Sequence, residues 1–142
     1  MKIIDFRFRP NTPEIINGIK NSSMFKATCE AIGFDKRVPQ ALPEIVADLD
    51  RRGVELCVVS GRDCETTYGF PANNNSILEF CRAYPNKFLG FWGIDPHKGM
   101  DAGREGDHVI KDLGMRGIAT DPYLAHCPPS DARYYPIHAK CV

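Results

Sequence analysis

Four short runs of apolar residues recur along the chain, and a pattern typical of a helix follows each of them. The runs cover residues 2–8, 54–61, 88–95 and 115–121, and the second and third are almost continuously apolar. Such runs are typical of strands buried on both faces. Strands that alternate with helices indicate a parallel sheet, because parallel neighbours need a long crossover that a helix usually supplies. The sequence therefore predicts an α/β fold.

The helical patterns are stripes of apolar side chains three or four residues apart. They consist of Leu42, Ile45, Val46 and Leu49; of Ile77, Phe80, Cys81 and Tyr84; of Val109, Ile110 and Leu113; and of Tyr134, Ile137, His138 and Cys141. Asparagines 73–75 are expected to form the cap region of the second helix, and Asp131 is expected to cap the last one. Residues 11–40 are too polar for one helix, and we expect a partly helical connection with room for a lid or substrate-binding excursion.

Composition restricts the class of protein. The 142 residues are 43% hydrophobic and 25% charged, which is typical of one globular domain over residues 1–142. Eighteen basic residues balance eighteen acidic ones without a charged block, so no nucleic-acid or anionic-membrane partner is expected. No apolar run approaches the ~20 residues of a membrane span, and the first charge comes too early for a secretory signal. A cytoplasmic location is expected.

The chain has six cysteines, at positions 29, 57, 64, 81, 127 and 141. Several fall within apolar runs or helical stripes, and none forms a CxxC pair of the kind that binds zinc or transfers electrons. We therefore expect free thiols that serve as small core or surface residues.

The first run, IIDFRFRP, alternates apolar and charged side chains. Strand geometry places Ile3, Asp5, Arg7 and Arg9 on one face, and Ile4, Phe6 and Phe8 on the other. One face of this strand thus carries three charges in succession.

Four segments in a fixed order resemble one known family: IIDFRFRP, KFLGFWGIDP, LGMRGIATDPY and DARYYPIHAKC. They resemble the amidohydrolase superfamily, and most closely its amidohydrolase family 2 group, which includes the aminocarboxymuconate-semialdehyde decarboxylase-like enzymes. The resemblance runs over nearly the whole chain but corresponds to the N-terminal half of such a protein. It implies a (β/α)8 TIM-type barrel represented by its first four βα units, a half-barrel. A small doubly wound α/β domain is the alternative.

The resemblance also implies what the family does. Its members are hydrolases, lactonases, hydratases or nonoxidative decarboxylases, usually with one divalent metal such as zinc. In the family the first strand ends in a His-x-His pair that binds this metal, and here Arg7 and Arg9 take those two positions. A guanidinium has no lone pair for a cation, so we expect no metal cofactor from this chain. The later strands that supply further ligands have no counterpart in the chain.

The barrel interpretation gives the first strand a role. Its apolar face would pack beneath the helices, and its charged face would point into the barrel, whose active sites lie at the C-terminal mouth. Arg7 and Arg9 would lie about 6 to 7 Å apart along the strand and could bind a carboxylate through their guanidinium forks. Asp5 would offset part of their charge. The alternative, an internal Arg–Asp ion pair or a half-exposed polar strand face, stays open.

Further candidates follow the other strands. Ser60 and Arg62 come at the end of the second, where Ser60 is a supporting residue and Arg62 is either a secondary anion contact or an ordinary loop arginine. Asp95 follows the third as a supporting residue, although Asp-Pro is more typical of a turn. Asp121 follows the fourth and has the same alternative of a turn residue, but it is our candidate for the catalytic general base.

These residues favour a hydrolase or decarboxylase-like enzyme of the amidohydrolase family that acts on a small acidic or carbonyl substrate. A version without metal would hydrolyse an ester, a thioester or a lactone. This chain lacks the full active site, so the other class of hypothesis is a catalytically incomplete, truncated or split half-barrel. Such a half exposes two strand edges, and we expect it to self-associate as a homo-oligomer or to pair with a second half.

Overall fold

The computed structural model describes residues 2–70 and 72–142, without the side chain of Asp35. The strands are β1 (Ile3–Phe8), β2 (Val54–Ser60), β3 (Phe88–Gly93) and β4 (Gly117–Ala119). The helices are α1 (Pro13–Lys20), α2 (Lys26–Ile32), α3 (Leu42–Arg51), α4 (Glu65–Tyr68), α5 (Asn74–Ala83), α6 (Met100–Lys111) and α7 (Tyr135–His138). Short 3-10 turns cover Ser23–Phe25, Phe34–Lys36, Pro96–Lys98 and Ala132–Tyr134.

The four strands form one parallel sheet in the order β1-β2-β3-β4. Cys57 pairs with Phe88 between β2 and β3, and Phe91 pairs with Gly117 between β3 and β4. The predicted α/β class, with strands joined by helical crossovers, is confirmed. Strand β1 ends where the sequence pattern predicts, whereas β2, β3 and β4 end one or two residues earlier, so Gly61, Asp95 and Asp121 lie in the loops that follow them.

Helices cover one face of the sheet through two apolar clusters. The first joins α3, α5, β2 and β3 through Ile45, Leu49, Cys57, Val59, Ile77, Phe80 and Phe88. The second joins α6, α7 and the end of β3 through residues that include Trp92, Ile94, Ala102, Val109, Tyr134 and Ile137. Full burial of one such side chain contributes roughly 1.5 to 3 kcal/mol, so these clusters hold the helices on the sheet. No helix in the described part of the chain is long and apolar enough to cross a membrane.

The last helix is shorter than its stripe predicts. Asp131 caps the turn before it, because its carboxylate accepts a hydrogen bond from the backbone N–H of Arg133 at 3.0 Å. Helix α7 ends at His138, and Cys141 lies beyond it and is exposed.

Strand β1 contains a bulge. Asp5 pairs with Cys57 and Phe8 with Val59, so three steps along β1 match two steps along β2. The extra residue interrupts the ladder, as bulges do, and the Asp5 carboxylate accepts a hydrogen bond from the backbone N–H of Arg7 at 2.9 Å. Asp5 therefore stabilises the bulge through the main chain, and it forms no ion pair with Arg7 or Arg9 among the described contacts.

The side chains of β1 do not lie on the faces that strict alternation predicts. Phe8 lies on the helical side, where it stacks on Phe88 with ring centroids 6.1 Å apart, as predicted. Ile4 and Phe6 lie on the open face instead, 61% and 70% exposed, and the prediction that helices cover them is wrong. Alternation separates two faces of a strand but does not say which face the helices cover, and the bulge then reverses the alternation before Phe8.

The six cysteines are free thiols, as predicted. Burial raises the pKa of Cys57, Cys64 and Cys81 to about 11, so these three are protonated at neutral pH. Protonated, buried thiols are poor nucleophiles and poor metal ligands.

A buried asparagine connects the ends of β2 and β3. The Asn74 side chain donates to the Gly93 carbonyl at 2.7 Å and accepts from the Gly93 N–H at 2.8 Å. A Cβ on Gly61 would lie 2.0 Å from Asn74 Oδ1, and a Cβ on Gly93 would lie 2.5 Å from the backbone nitrogen of Arg62. Both glycines are therefore required for the two strand ends and the asparagine to fit together.

Replacement of Asn74 by alanine tests this connection. Asn74→Ala leaves the N–H and C=O of Gly93 without their partner in a buried site, and we expect a loss of about 2 to 3 kcal/mol in the free energy of unfolding. The matched control is Asn75→Ala at the next, exposed position of α5, which should change stability by less than about 0.5 kcal/mol. Urea denaturation measures both, and equal losses would contradict the assignment.

Candidate functional site

Five of the seven candidate residues from the sequence line one cleft at the C-terminal ends of the strands. The cleft has a volume of about 320 Å³ and is lined by Phe6, Arg7, Arg9, Ser60, Gly61, Arg62, Asp63, Ala119, Thr120 and Asp121. This volume lies within the range of small-molecule sites. The loops after β2 and β4 and the end of β1 thus bring together groups that are more than fifty residues apart in sequence.

A larger depression of about 610 Å³ lies at the opposite ends of the strands, among residues that include Val54, Tyr84 and Lys87. Both of its lysines are already bound, because Lys87 donates to the Asp50 carboxylate and to the Val54 carbonyl, and Lys2 donates to the Glu55 carboxylate. Barrel active sites form at the carboxyl ends of the strands, whereas the opposite face serves stability. The smaller cleft is therefore the candidate site.

Arg62 and Asp121 form the polar centre of the cleft. Arg62 Nε and Nη2 lie 3.1 and 3.0 Å from the same carboxylate oxygen, Asp121 Oδ2. Their side chains are 21% and 32% exposed, so the pair is partly shielded from water yet open to a ligand. Asp121 Oδ1 accepts no hydrogen bond from the described residues and is free to accept one from a ligand or water.

Two further contacts fix Arg62. Its backbone N–H donates to Asn73 Oδ1 at 2.7 Å, which positions the loop after β2. Its guanidinium lies over the Phe25 ring, 5.3 Å from the ring centroid, in a cation–π contact. Arg62 is therefore oriented by a carboxylate, a backbone anchor and an aromatic face.

Arg9 extends across the end of β2. Its Nη1 donates a hydrogen bond to the Ser60 carbonyl at 3.0 Å. Ser60 therefore contacts Arg9 through its backbone and not through its hydroxyl. Loss of solvent lowers the pKa of Arg9, and the nearby charges of Arg62 and Arg7 lower it further. The three guanidinium groups repel one another, and an anion placed among them would relieve this repulsion.

Positive charge exceeds negative charge in the cleft. Arg7, Arg9 and Arg62 face two carboxylates, but Asp63 is already paired with Lys98 and has a fully buried side chain. Asp121 is the remaining counter-charge. The cleft therefore favours an anionic ligand.

The structure places Asp5 and Asp95 outside the lining of this cleft. Asp95 is 1% exposed and accepts hydrogen bonds from the backbone N–H groups of His97 at 2.9 Å and Thr66 at 3.1 Å. It thus acts as a turn and loop anchor, the alternative that the Asp-Pro sequence favours.

Sequence reasoning missed two polar contacts near this end of the sheet. Asn73 binds the Arg62 backbone, whereas its position before α5 indicated only a cap, and its side chain makes no capping bond. Tyr68 and His126 join the loops after β2 and β4 through a 2.6 Å hydrogen bond between Tyr68 Oη and His126 Nε2. The run of three asparagines was a signal for the first contact, and no local pattern indicates the second.

The donor chemistry of the cleft does not fit a divalent metal. Guanidinium groups offer no lone pair, and the described residues contain no group of three or more His, Cys, Asp or Glu side chains that could hold a metal ion. The chemistry that these side chains can supply is electrostatic binding of negative charge by arginine and proton transfer by the Asp121 carboxylate.

Neither a protein-family model nor a curated relative matches the sequence. Solved structures do match the fold. The 5-carboxyvanillate decarboxylase of Novosphingobium aromaticivorans, a complex with manganese and 4-hydroxy-3-methoxy-5-nitrobenzoic acid, has a TM-score of 0.68 and 18% identity, and the match covers 98% of this chain and 47% of that one.

Two further structures match over similar lengths. The dihydroxybenzoic acid decarboxylase of Polaromonas sp. JS666 has a TM-score of 0.58 and 19% identity, over 98% of this chain and 46% of that one. The 4-oxalomesaconate hydratase of Rhodopseudomonas palustris has a TM-score of 0.57 and 20% identity, over 97% and 48%.

The chain spans about half the length of these structures, which are amidohydrolase-superfamily barrels. Four parallel strands in chain order, each followed by helical structure, are consistent with an N-terminal half. The predicted α/β half-barrel is thereby confirmed at the level of fold: the chain has the same fold as about half of each of these chains.

Proposed function

We propose that this chain supplies the N-terminal half of a barrel active site that binds a small acidic or carbonyl substrate and hydrolyses or decarboxylates it. The observation that carries the proposal is the group of three arginines, Arg7, Arg9 and Arg62, around one cleft at the C-terminal strand ends. Only Asp121 remains there to balance them, since Asp63 is paired with Lys98.

The arginines contribute most when they contact charge that develops during the reaction. A clamp on a carboxylate that is itself lost would stabilise the ground state and slow the reaction. Arg9 and Arg62 therefore hold a second, unreactive carboxylate or a carbonyl oxygen on which negative charge accumulates. Arg7 lies in the bulge of β1 and adds positive charge at the open side of the cleft.

Asp121 supplies proton transfer. In hydrolysis its carboxylate takes a proton from the attacking water and returns that proton to the leaving group. In decarboxylation the bond to the departing carbon dioxide leaves its electron pair on the substrate carbon, and Asp121 relays the proton that this carbon takes up. The decarboxylases and the hydratase of similar fold favour decarboxylation or another reaction of small acids over hydrolysis of larger substrates.

Arg9→Gln tests the anion site. We expect benzoate to bind about tenfold more weakly to this variant, because hydrogen bonds to a charged group contribute about 1.5 to 3 kcal/mol. Nuclear magnetic resonance titration measures the dissociation constant, with neutral benzamide as the matched ligand. The control variant is Arg116→Gln, an exposed arginine before β4 at the opposite end of the sheet. Benzamide that binds as tightly as benzoate would contradict the proposal.

Asp121→Asn tests the base. With esters, thioesters, lactones and aromatic acids as substrates, in the presence of a chelator, we expect the rate to fall about 10²- to 10⁴-fold. The exposed Asp101→Asn on α6 is the control, and benzoate affinity should change less than tenfold in either variant. An unchanged rate in Asp121→Asn would contradict its role, and activity that needs stoichiometric zinc would contradict the version without metal.

The open face of the sheet supports a second candidate function, that of a half-barrel which associates with another half. Ile4 and Phe6 are 61% and 70% exposed there. In a complete barrel, apolar side chains of this kind form a packed interior. Strands β1 and β4 also present unpaired edges to solvent in the single chain, and such edges favour association. We propose a second copy of the chain as the first partner to test.

Light scattering checks this association. We expect a mass above the 15.9 kDa of one chain, and Ile4→Lys should shift the population toward the monomer because it places a charge on the face that association would bury. Val38→Lys, at another exposed apolar position in the connection after β1, is the matched control. A folded wild-type monomer would contradict the pairing. If a monomer of this chain binds benzoate but turns over none of the tested substrates, that result would contradict catalysis by this chain alone.

A further inference from the structure

A second cavity opens beside the cleft, between the end of β1 and the helices α1 and α2. It has a volume of about 430 Å³. Most of its lining is apolar and comes from Pro10, Ile15, Ile19, Phe25, Cys29, Ile32 and Phe34. We refer to these seven residues as the apolar chamber. A cavity of this size is large enough for part of a small ligand.

The chamber and the cleft share their arginines. Arg7, Arg9 and Arg62 line both cavities, so the three guanidinium groups stand at the junction between them. A fourth arginine, Arg37, lines the chamber and lies 4.9 Å from the centroid of the Phe34 ring. Among the side chains that the structure describes, which exclude that of Asp35, no acidic one lines the chamber.

Two of these arginines lie over the two aromatic rings of the chamber. Arg62 covers Phe25, and Arg37 covers Phe34 while donating to Asn11 Oδ1 at 3.3 Å. Lys20 at the end of α1 donates to the Arg37 carbonyl at 3.2 Å. Helix α1 and the turn after α2 are therefore connected to each other around the cavity.

The chamber is not a closed part of the core. Ile32 is 65% exposed, and Ile15, Ile19, Phe25 and Phe34 are half-buried. Apolar side chains around a water-accessible space gain free energy when an apolar group replaces the water. Positive charge at the mouth and apolar surface inside together define an amphipathic ligand with a negative head.

We propose that the chamber is a subsite for the apolar tail of a hydrophobic carboxylate whose head binds Arg9 and Arg62. This inference rests on the proposed anion site and adds the class of substrate: acids with an apolar chain or ring that extends away from Asp121. The carboxylate lies at the shared arginines, and the tail runs between α1 and α2. A cationic amphiphile with the same tail would meet four arginines and is excluded.

The test is a comparison of unbranched acids of different chain length. Each methylene that enters the chamber should tighten binding up to about fourfold, so octanoate should bind the full chain about a hundredfold more tightly than butanoate. Calorimetry measures both dissociation constants, with octylamine as the ligand of opposite charge. Ile32→Asn should weaken octanoate at least threefold and leave butanoate unchanged. Ile32 is exposed enough for this variant to fold, and Val38→Asn is the matched exposed control.

The outcomes separate this inference from the proposed function. Equal affinities for butanoate and octanoate, with butanoate weakened by Arg9→Gln, would overturn the chamber and leave the anion site intact. Failure of both acids to respond to Arg9→Gln would overturn the anion site itself. Octanoate affinity lost in Ile4→Ser but kept in Ile32→Asn would place the tail on the open face, and tight octylamine binding would remove the role of charge. Either result would overturn the inference.

Discussion

One buried side chain fits between the ends of β2 and β3, directly before the loop that carries Arg62. The Asn74 side chain hydrogen-bonds both the N–H and the C=O of Gly93, as a residue of a neighbouring strand would do. This pairing is possible only where the chain on either side has no Cβ, as at Gly61 and Gly93. Because Arg62 follows Gly61 directly, the close packing at Gly61 also fixes the position of the Arg62 backbone. A buried asparagine of α5 thus constrains the backbone from which the Arg62 side chain extends.

The arginines at the strand ends differ in how fully their charge is compensated by the protein. Arg62 has a carboxylate partner and an aromatic face, whereas Arg9 has one backbone carbonyl, the charge of Asp121 and two like-charged neighbours. An ion pair with full compensation would leave little attraction for a ligand, and unpaired buried charge would destabilise the fold. The cleft lies between these limits: Arg62 is fixed by contacts within the protein, whereas Arg7 and Arg9 have no carboxylate partner among the described residues and can bind an anion. Solvent access at the cleft makes this excess of positive charge tolerable.

The sequence predicts most of the fold because apolar periodicity reports burial directly. The stripes at Leu42–Arg51 and Asn74–Ala83 become helices, and the continuous runs around Val58 and Phe91 become central strands. The order of strands then places Arg9, Arg62 and Asp121 at one end, so the cleft could be predicted in outline. Periodicity reports neither which face of β1 the helices cover nor the bulge that reverses the alternation before Phe8, so the prediction for Ile4 and Phe6 is wrong. Contacts between distant loops, such as Tyr68 with His126, leave no local pattern.

The order of the strands in the sheet has a consequence for how the molecule is made. Each strand pairs with the one that precedes it in the chain, so no strand waits for a later segment to be inserted between its neighbours. During synthesis from the N-terminus, β2 can pair with β1 and receive α3 and α5 before β4 has left the ribosome. Domains generally fold in this N-terminal-first manner. At each stage of synthesis the most recent strand forms the edge of the sheet, and its free backbone groups can pair with the next strand. Each completed βα unit is thus the template on which the next one assembles.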